Sequence, residues 1–296
     1  MRSLLVVGAS VFLLVTGAAP PVLAQQSAGA PAPGTRASGL GGAFTGVADD
    51  ASAVFWNPAG LASGAFFSLV LDHSARDDGS ATLLALSTPP LGLSYYRTAT
   101  GRAGEGRNSL ITHNAGVTFV QSLADRIAVG GTLKVVHGEA RAASGGPVSS
   151  NKVDLDVGVM ATGSLGRIGV TVHNLAEPSF ETTADRLTLE RRVRGGLSVN
   201  TGRKTTVSGD FDFNTTHDVA TGEPWREAAF GAEFQPARKA WLRAGVRWNT
   251  AGDRAAPAGS VGGSYAIYGA TMADAYASFG ADDRTNGWGI ALRFVF

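Results

Sequence analysis

The sequence predicts an all-β protein, a transmembrane antiparallel β-barrel of about 14 strands with an N-terminal helical plug, or hatch, inside its lumen. Three observations carry this expectation. From Gly64 to Phe296 the chain is a series of short runs in which apolar and polar residues alternate. The connections between these runs alternate in length. Ahead of them, Gly39 to Ala62 gathers glycines, two adjacent carboxylates, a stretch of small residues and an Asn-Pro-Ala break into one compact unit.

The N-terminus reads as an export signal. Arg2 precedes an apolar run from Leu4 to Val15, and Val22 and Ala24 stand where a signal peptidase reads small residues, which assigns residues 1–24 as a signal peptide. That run is shorter than the ~20 residues of a membrane-spanning helix. Residues 25–38, QQSAGAPAPGTRAS, are small, polar and proline-containing, and are expected to form a flexible periplasmic leader. The 296-residue chain has no cysteine, hence no disulfide, no thiolate nucleophile and no lipidation cysteine. Its 40 glycines, 12 prolines and 17% charged residues favour tightly turned strands. A formal net charge of +1 without a concentrated basic face excludes nucleic acid as a partner.

Within residues 63–296, the clearest strand signals are Val153–Ala161, Thr205–Asn214, Ala228–Phe234, Leu242–Trp248 and Trp288–Phe296. In the second of these, Val207, Gly209, Phe211 and Phe213 share one face, and Ser208, Asp210, Asp212 and Asn214 share the other. A soluble sandwich would show the same period with the apolar face turned inward. The connections separate the two. Tight ones fall at Ser87–Leu91, Ser122–Arg126, Gly163–Gly166, Thr201–Arg203, Gln235–Lys239 and Tyr268–Ala270. Longer polar ones fall at His73–Gly79, Thr98–Asn108, Gly138–Asn151, Glu177–Leu189, Thr215–Pro224, Thr250–Ala258 and Ala281–Asn286. This sorting is expected when one rim faces the periplasm and the other the exterior. Trp225, Trp248 and Trp288 near outer strand ends, with Tyr268 and Phe296 near inner ends, fit interfacial aromatic girdles, whereas Trp241 has inward parity.

The inward face carries both signs of charge: Asp154 and Asp156, Arg192 and Arg194, Asp210 and Asp212, Glu227 and Glu233, Arg243 and Arg247. Their shared parity suggests a cross-strand lattice of ion pairs that fixes register. The five histidines, His73, His113, His137, His173 and His217, come with no G-x-S-x-G elbow and no H-E-x-x-H pair, so no catalytic, metal or cofactor site is assigned.

In the plug, Asp49 or Asp50 is expected to cap a short helix over Ala51–Trp56, and Pro58 to end it. Asn57, Pro58, Ala59 and Gly60 then form a turn leading to the first strand. Gly39, Gly41 and Gly42 allow close packing on the wall, and the Gly-rich run lacks the partners of a phosphate-binding loop.

SGLGGAFTGVADDASAVFWNPAGLA, from Ser38 to Ala62 and including Phe44 and Trp56, resembles the N-terminal signature of FadL-type outer-membrane barrels and is closer still to their PorV-like relatives. HNLAEPSF at His173–Phe180 and RVRGGLSVN at Arg192–Asn200 are similar to a mid-barrel pattern of the PorV-like branch. The ending GWGIALRFVF, with Trp288, Ile290, Leu292, Phe294 and Phe296, resembles the signal read by the barrel-assembly machinery. The resemblance implies a bacterial outer-membrane barrel whose N-terminal segment, with Asn57–Ala59, folds into the lumen as a hatch. It implies a small hydrophobic ligand that is bound and released through the barrel wall, in contact with outer-membrane lipid. The alternative is a PorV-like scaffold or shuttle for a secreted-protein partner, contacted through Thr98–Asn108 and Glu177–Leu189. The chain departs from the transporters in being shorter and in lacking a long apolar outer loop.

Overall fold

The structure, a computed structural model, describes residues 32–101, 107–143, 145–184, 186–202, 204–253, 255–281 and 285–296. The signal-peptide assignment lies outside the described residues, as does the first half of the expected leader, residues 25–31. Two short α-helices open the described chain, α1 (Thr35–Gly39) and α2 (Ala53–Trp56), followed by a 3-10 helix at Pro58–Ser63.

The wall begins with β1 (Ser68–Arg76), β2 (Gly79–Thr88), β3 (Leu91–Thr100), β4 (Ser109–Ala124), β5 (Ile127–Arg141), β6 (Val148–Thr162) and β7 (Gly166–His173). A rim ribbon of β8 (Ser179–Glu181) and β9 (Arg186–Thr188) follows, then wall strands β10 (Arg192–Asn200) and β11 (Thr205–Asp212). A second ribbon, β12 (Thr216–His217) with β13 (Pro224–Trp225), precedes β14 (Glu227–Ala237), β15 (Ala240–Asn249), β16 (Ala258–Tyr268), β17 (Thr271–Gly280) and β18 (Gly287–Val295). Fourteen of these strands form a closed antiparallel barrel, the strand number read from the sequence. Closure is made by β1 on β18, in register from Ser68 opposite Val295 to Arg76 opposite Gly287. A closed ladder leaves no unpaired edge, which is what a sheet needs in hydrocarbon.

The pleat decides which solvent each side chain meets. Phe211, Val246 and Leu292 are 39%, 47% and 41% exposed, while Asp210, Arg243 and Arg293, at opposite parity on the same strands, are 5%, 4% and 6% exposed. A soluble sandwich would reverse these values. Along β5 the outward Leu133 and Val135 alternate with the buried Thr132, Lys134 and Val136.

The expected rim connections shrink where strands run further than the alternation showed. His73–Gly79 is mostly strand: β1 continues to Arg76, and only Asp77 and Asp78 turn the chain into β2. Gly138–Asn151 likewise contributes to β5 and β6, because polar outward residues above the apolar band keep the ladder without keeping the hydrophobic pattern. Trp225 sits in the β12–β13 ribbon instead of on the wall, so it does not belong to a girdle as expected. Trp248, Trp288, Tyr268 and Phe296 are outward and exposed, and Trp241 is half-buried.

The Glu177–Leu189 connection packs its apolar side against the wall and leaves Glu181 and Arg186 exposed. Its ribbon folds against β5 and β6, burying Phe180 and Leu187 with Leu110, Val136, Ala140, Leu189 and Val219 in an apolar cluster at the outer rim. A larger apolar cluster lies deeper, where Leu40, Phe44, Val47, Val54, Trp56 and Leu61 of the N-terminal segment meet Val70, Leu83 and Tyr96 of the wall.

Leu133, midway along β5, tests the outward face. Leu133→Arg is expected to lower the unfolding free energy of the lipid-embedded barrel by about 2–4 kcal/mol in a urea titration. Ser149→Arg, on the exposed outer end of β6, is expected to change it by less than about 0.5 kcal/mol.

Candidate functional site

The N-terminal segment crosses the ring of strands: α1 packs on β15, β16 and β17, and the 3-10 helix packs on β4, β5 and β6 in the opposite arc. Hydrogen bonds hold it along its length. The amides of Gly34 and Thr35 donate to the Asp72 carboxylate at 3.0 and 2.5 Å, and those of Phe44 and Thr45 donate to Asp210 Oδ2 at 3.1 and 2.9 Å. Ser208 Oγ donates to the Ala43 carbonyl and Ser198 Oγ to that of Gly46, each at 2.8 Å. Asn57 Nδ2 donates to the carbonyls of Thr45 (3.1 Å) and Val159 (3.3 Å), while its Oδ1 accepts from Ala59 N at 3.1 Å and caps the 3-10 helix.

Such contacts need the two backbones to come close, and the wall supplies glycine where they do. Gly231 and Gly245 face Leu40, Gly169 and Gly196 face Thr45, and Gly130 and Gly158 face Asn57–Pro58. A Cβ on Gly130 would stand 2.5 Å from the Pro58 carbonyl carbon, and one on Gly169 2.7 Å from the Thr45 oxygen. On the segment itself, Gly41 (φ +68°) has a Cβ position 2.8 Å from Val246 N. Gly39 lies beside Arg243 and Gly262, and Gly42 beside the Glu227 carboxylate.

Charge completes the seat. Arg36 pairs with Asp50 (3.2 Å), Asp50 with Arg293 (3.5 Å), Arg293 with Asp274 (2.5 Å), Asp274 with Arg243 (3.6 Å), Arg243 with Glu233 (2.5 Å) and Glu233 with Arg36 (3.1 Å). These six groups form a closed, neutral ring. Two of them belong to the segment and four to β14, β15, β17 and β18. Asp49 adds contacts to Arg36 (2.5 Å) and to Arg167 of β7 (2.9 Å). Burial alone would push the Asp50 carboxyl up, but Arg36 and Arg293 outweigh it and hold the group below its ordinary value of 3.8.

A second network centres on Arg194, which pairs with Asp210 (3.1 Å), Asp212 (3.2 Å) and Glu227 (3.0 Å) and donates to the Gly42 carbonyl at 3.1 Å. Arg192 shares Asp212 (2.9 Å) and Glu227 (3.6 Å). A third joins Lys134 to Asp154 (3.1 Å) and Asp156 (2.8 Å), with His173 Nδ1 3.7 Å from Asp156.

Nine of the ten lumen charges named from sequence thus meet partners. Arg247 does not: among the described residues it makes no hydrogen bond or ion pair. Parity alone could not have paired Asp154 and Asp156 correctly, because their partner Lys134 sits in the apolar stretch LKVV and was passed over. Asp274 and Arg293 carry the same inward signal. Asp72 is readable in the same way, whereas nothing local marks Arg36.

Three expectations about the N-terminal region change. The boundary of the flexible leader at residue 38 moves back, since Thr35, Ala37 and Ser38 are buried in α1. Neither Asp49 nor Asp50 caps α2; Ser52 holds that position, because the two carboxylates are drawn into ion pairs, and Asp50 Oδ1 accepts from the Ser52 amide at 3.0 Å instead. Pro58 ends α2 as expected but opens the 3-10 helix Pro58–Ser63 instead of a simple turn.

Between this segment and the rim cluster lies a cavity of ≈ 110 Å³. Phe55, Trp56 and Tyr96 supply its rings, with Phe44 edge-on to Trp56 at 6.0 Å and His173 stacked on Phe55 at 5.7 Å. The other histidines do not join it: His73, His113 and His137 are on the outer surface, and His217 pairs with Glu190 at the rim. On the outer wall a broad apolar trough of ≈ 940 Å³ runs over β1, β2 and β15–β18, lined by Leu71, Leu84, Leu242, Tyr265, Ile290 and Leu292. On β18, Trp288, Ile290, Leu292 and Phe296 are outward, with Phe294 half-buried, and Phe296 meets Phe67 edge-on at 5.7 Å.

The fold is similar to that of solved FadL-like barrels. The CymD monoaromatic hydrocarbon channel superposes with a TM-score of 0.69 at 15% identity, over 89% of this chain and 97% of that one. A Pseudomonas aeruginosa FadL homologue gives 0.63 at 12% identity, over 90% and 99%. The Pseudomonas putida toluene transporter TodX gives 0.62 at 13% identity, over 88% and 96%. None of these three is a PorV-like protein. The pattern of the family described as "F plasmid transfer operon, TraF, protein" matches residues 120–212. No curated protein matches the sequence.

Filling a wall glycine tests the seat. Gly245→Val, whose side chain would enter the space of Leu40 and Gly41, is expected to leave the barrel's heat-modifiable gel mobility intact while exposing residues 36–66 to protease. Gly146→Val, with nothing within 4 Å, is the control. The ring gives a pH signature. Because the folded value of Asp50 is depressed below 3.8, its stabilisation is complete above about pH 4 and is lost as pH falls from there through the lower folded value. Protease resistance of the segment is therefore expected to hold from about pH 7 down to about pH 4 and to fall below it, with Asp50→Asn lowering resistance at neutral pH.

Proposed function

We propose that the protein is a bacterial outer-membrane channel for a small hydrophobic compound, with the N-terminal segment acting as its hatch. The observation that carries this reading is the ring-lined cavity enclosed between the rim cluster and the segment, in a barrel similar in fold to channels for monoaromatic hydrocarbons. The apolar exterior band supports placement in lipid, and the C-terminal strand, with Trp288, Ile290, Leu292, Phe294 and Phe296, offers the assembly machinery its recognition surface.

A compound enters through the outer rim and rests on Phe55, Trp56 and Tyr96. Passage beyond them requires the segment to shift, because its apolar cluster and ion-pair ring fill the lumen below. The outer trough over β15–β18 gives an apolar solute a place to leave into lipid, as the FadL-type resemblance implies. The Glu177–Leu189 ribbon commits Phe180 and Leu187 to the rim cluster, so those apolar side chains are not available to a secreted-protein partner.

Purified barrel in liposomes is expected to bind toluene and to speed its equilibration over protein-free vesicles. Asn57→Ala, which cuts the links to Thr45 and Val159, is expected to speed it further. The absence of both binding and flux for every apolar solute tried, in wild type and variant alike, would overturn the proposal.

A further inference from the structure

The cavity contains more charge than a purely hydrophobic guest requires. Five cationic side chains line it, Arg76, Lys134, Arg192, Arg194 and Arg247, against a single carboxylate among its described lining residues, Glu227. Three of the cations are neutralised: Lys134 by Asp154 and Asp156, Arg194 by Asp210, Asp212 and Glu227, and Arg192 by Asp212 and Glu227. Arg247 is left with no hydrogen bond or ion pair among the described residues. Around it stand Arg76, which repels it, and Glu227, Asp78 and Tyr276, which act on it only at longer range. Glu227 is already shared between two arginines.

An arginine held in a partly enclosed site beside a second arginine is an anion-binding arrangement, since its planar fork matches a carboxylate. The other wall of the same cavity is aromatic, with Phe55, Trp56 and Tyr96. Size narrows the guest. At ≈ 110 Å³ the space is close to the ~150 Å³ that holds a benzene ring and far below the ~300 Å³ or more of a drug-sized pocket, so a long acyl chain does not fit inside it.

We propose that the cavity is a binding site for a small aromatic carboxylate, its ring against Phe55, Trp56 and Tyr96 and its carboxylate on Arg247. This rests on the reading of the barrel as a channel for small compounds and narrows the class it takes. Neutral rings then pass as weaker guests of the same site.

Benzoate, benzylamine and toluene, of similar size and differing in charge, are the probes, with binding to the reconstituted full chain read by tryptophan fluorescence. The wild type is expected to bind benzoate at least tenfold more tightly than benzylamine, with benzoate affinity falling as salt rises. Arg247→Gln is expected to weaken benzoate about tenfold or more and to leave toluene within about twofold. Equal affinity for benzoate and benzylamine in the wild type would overturn the proposal without any variant. So would unchanged benzoate binding in a folded Arg247→Gln barrel, and in both cases toluene binding leaves the channel reading standing. Failure of all three probes would overturn both.

Discussion

The closed ring of ion pairs through Arg36, Asp50, Arg293, Asp274, Arg243 and Glu233 is the interaction on which the lumen depends. A barrel of ~8 strands is filled by its own side chains, whereas one of 14 leaves a space that wall residues do not fill. This chain fills it with its own N-terminal segment. Arg36 on Glu233 and Asp50 on Arg293 are the two links that tie the segment to the wall row Glu233–Arg243–Asp274–Arg293, and removing one partner of such a buried pair costs several kcal/mol. Wall and segment are therefore complementary in charge, as they are in shape where glycines meet Leu40, Thr45 and Pro58.

The two devices have different consequences. Glycine contacts are short-ranged and fix position, since even one methyl group at Gly130 or Gly169 would collide with backbone. Ion pairs are longer-ranged and tie the segment to β14 and β18 through Arg36 and Asp50. The cavity above it fits the same picture, with the rim cluster of Phe180 and Leu187 limiting access from outside.

Much of the wall was legible from alternation. The parity that put Phe211 and Val246 on one face and Asp210 and Arg243 on the other is reproduced, because a period of two has only one partition that suits lipid outside. Strand ends were less legible. Above the apolar band, the outward side of β1, β5 and β6 turns polar, and on β5 Val136 and Ala140 face the rim cluster instead, so the apolar-out alternation that marks the wall is lost. Arg36 was invisible for another reason: its stretch is polar and proline-rich, and only the partners Asp50 and Glu233, supplied by distant parts of the chain, give it a place. The wall glycines were hidden among 40, and only three-dimensional proximity distinguishes those that face the segment.

Amide hydrogen exchange on the full chain in lipid bilayers tests the central claim most directly, because it reads the seating of the segment residue by residue. The account expects the amides of Phe44 and Thr45, bonded to Asp210, and of Ala59, bonded to Asn57, to exchange as slowly as the ladder amides of β10 and β11. Exchange of those three at the rate of an unstructured peptide, with the wall strands still protected, would contradict it.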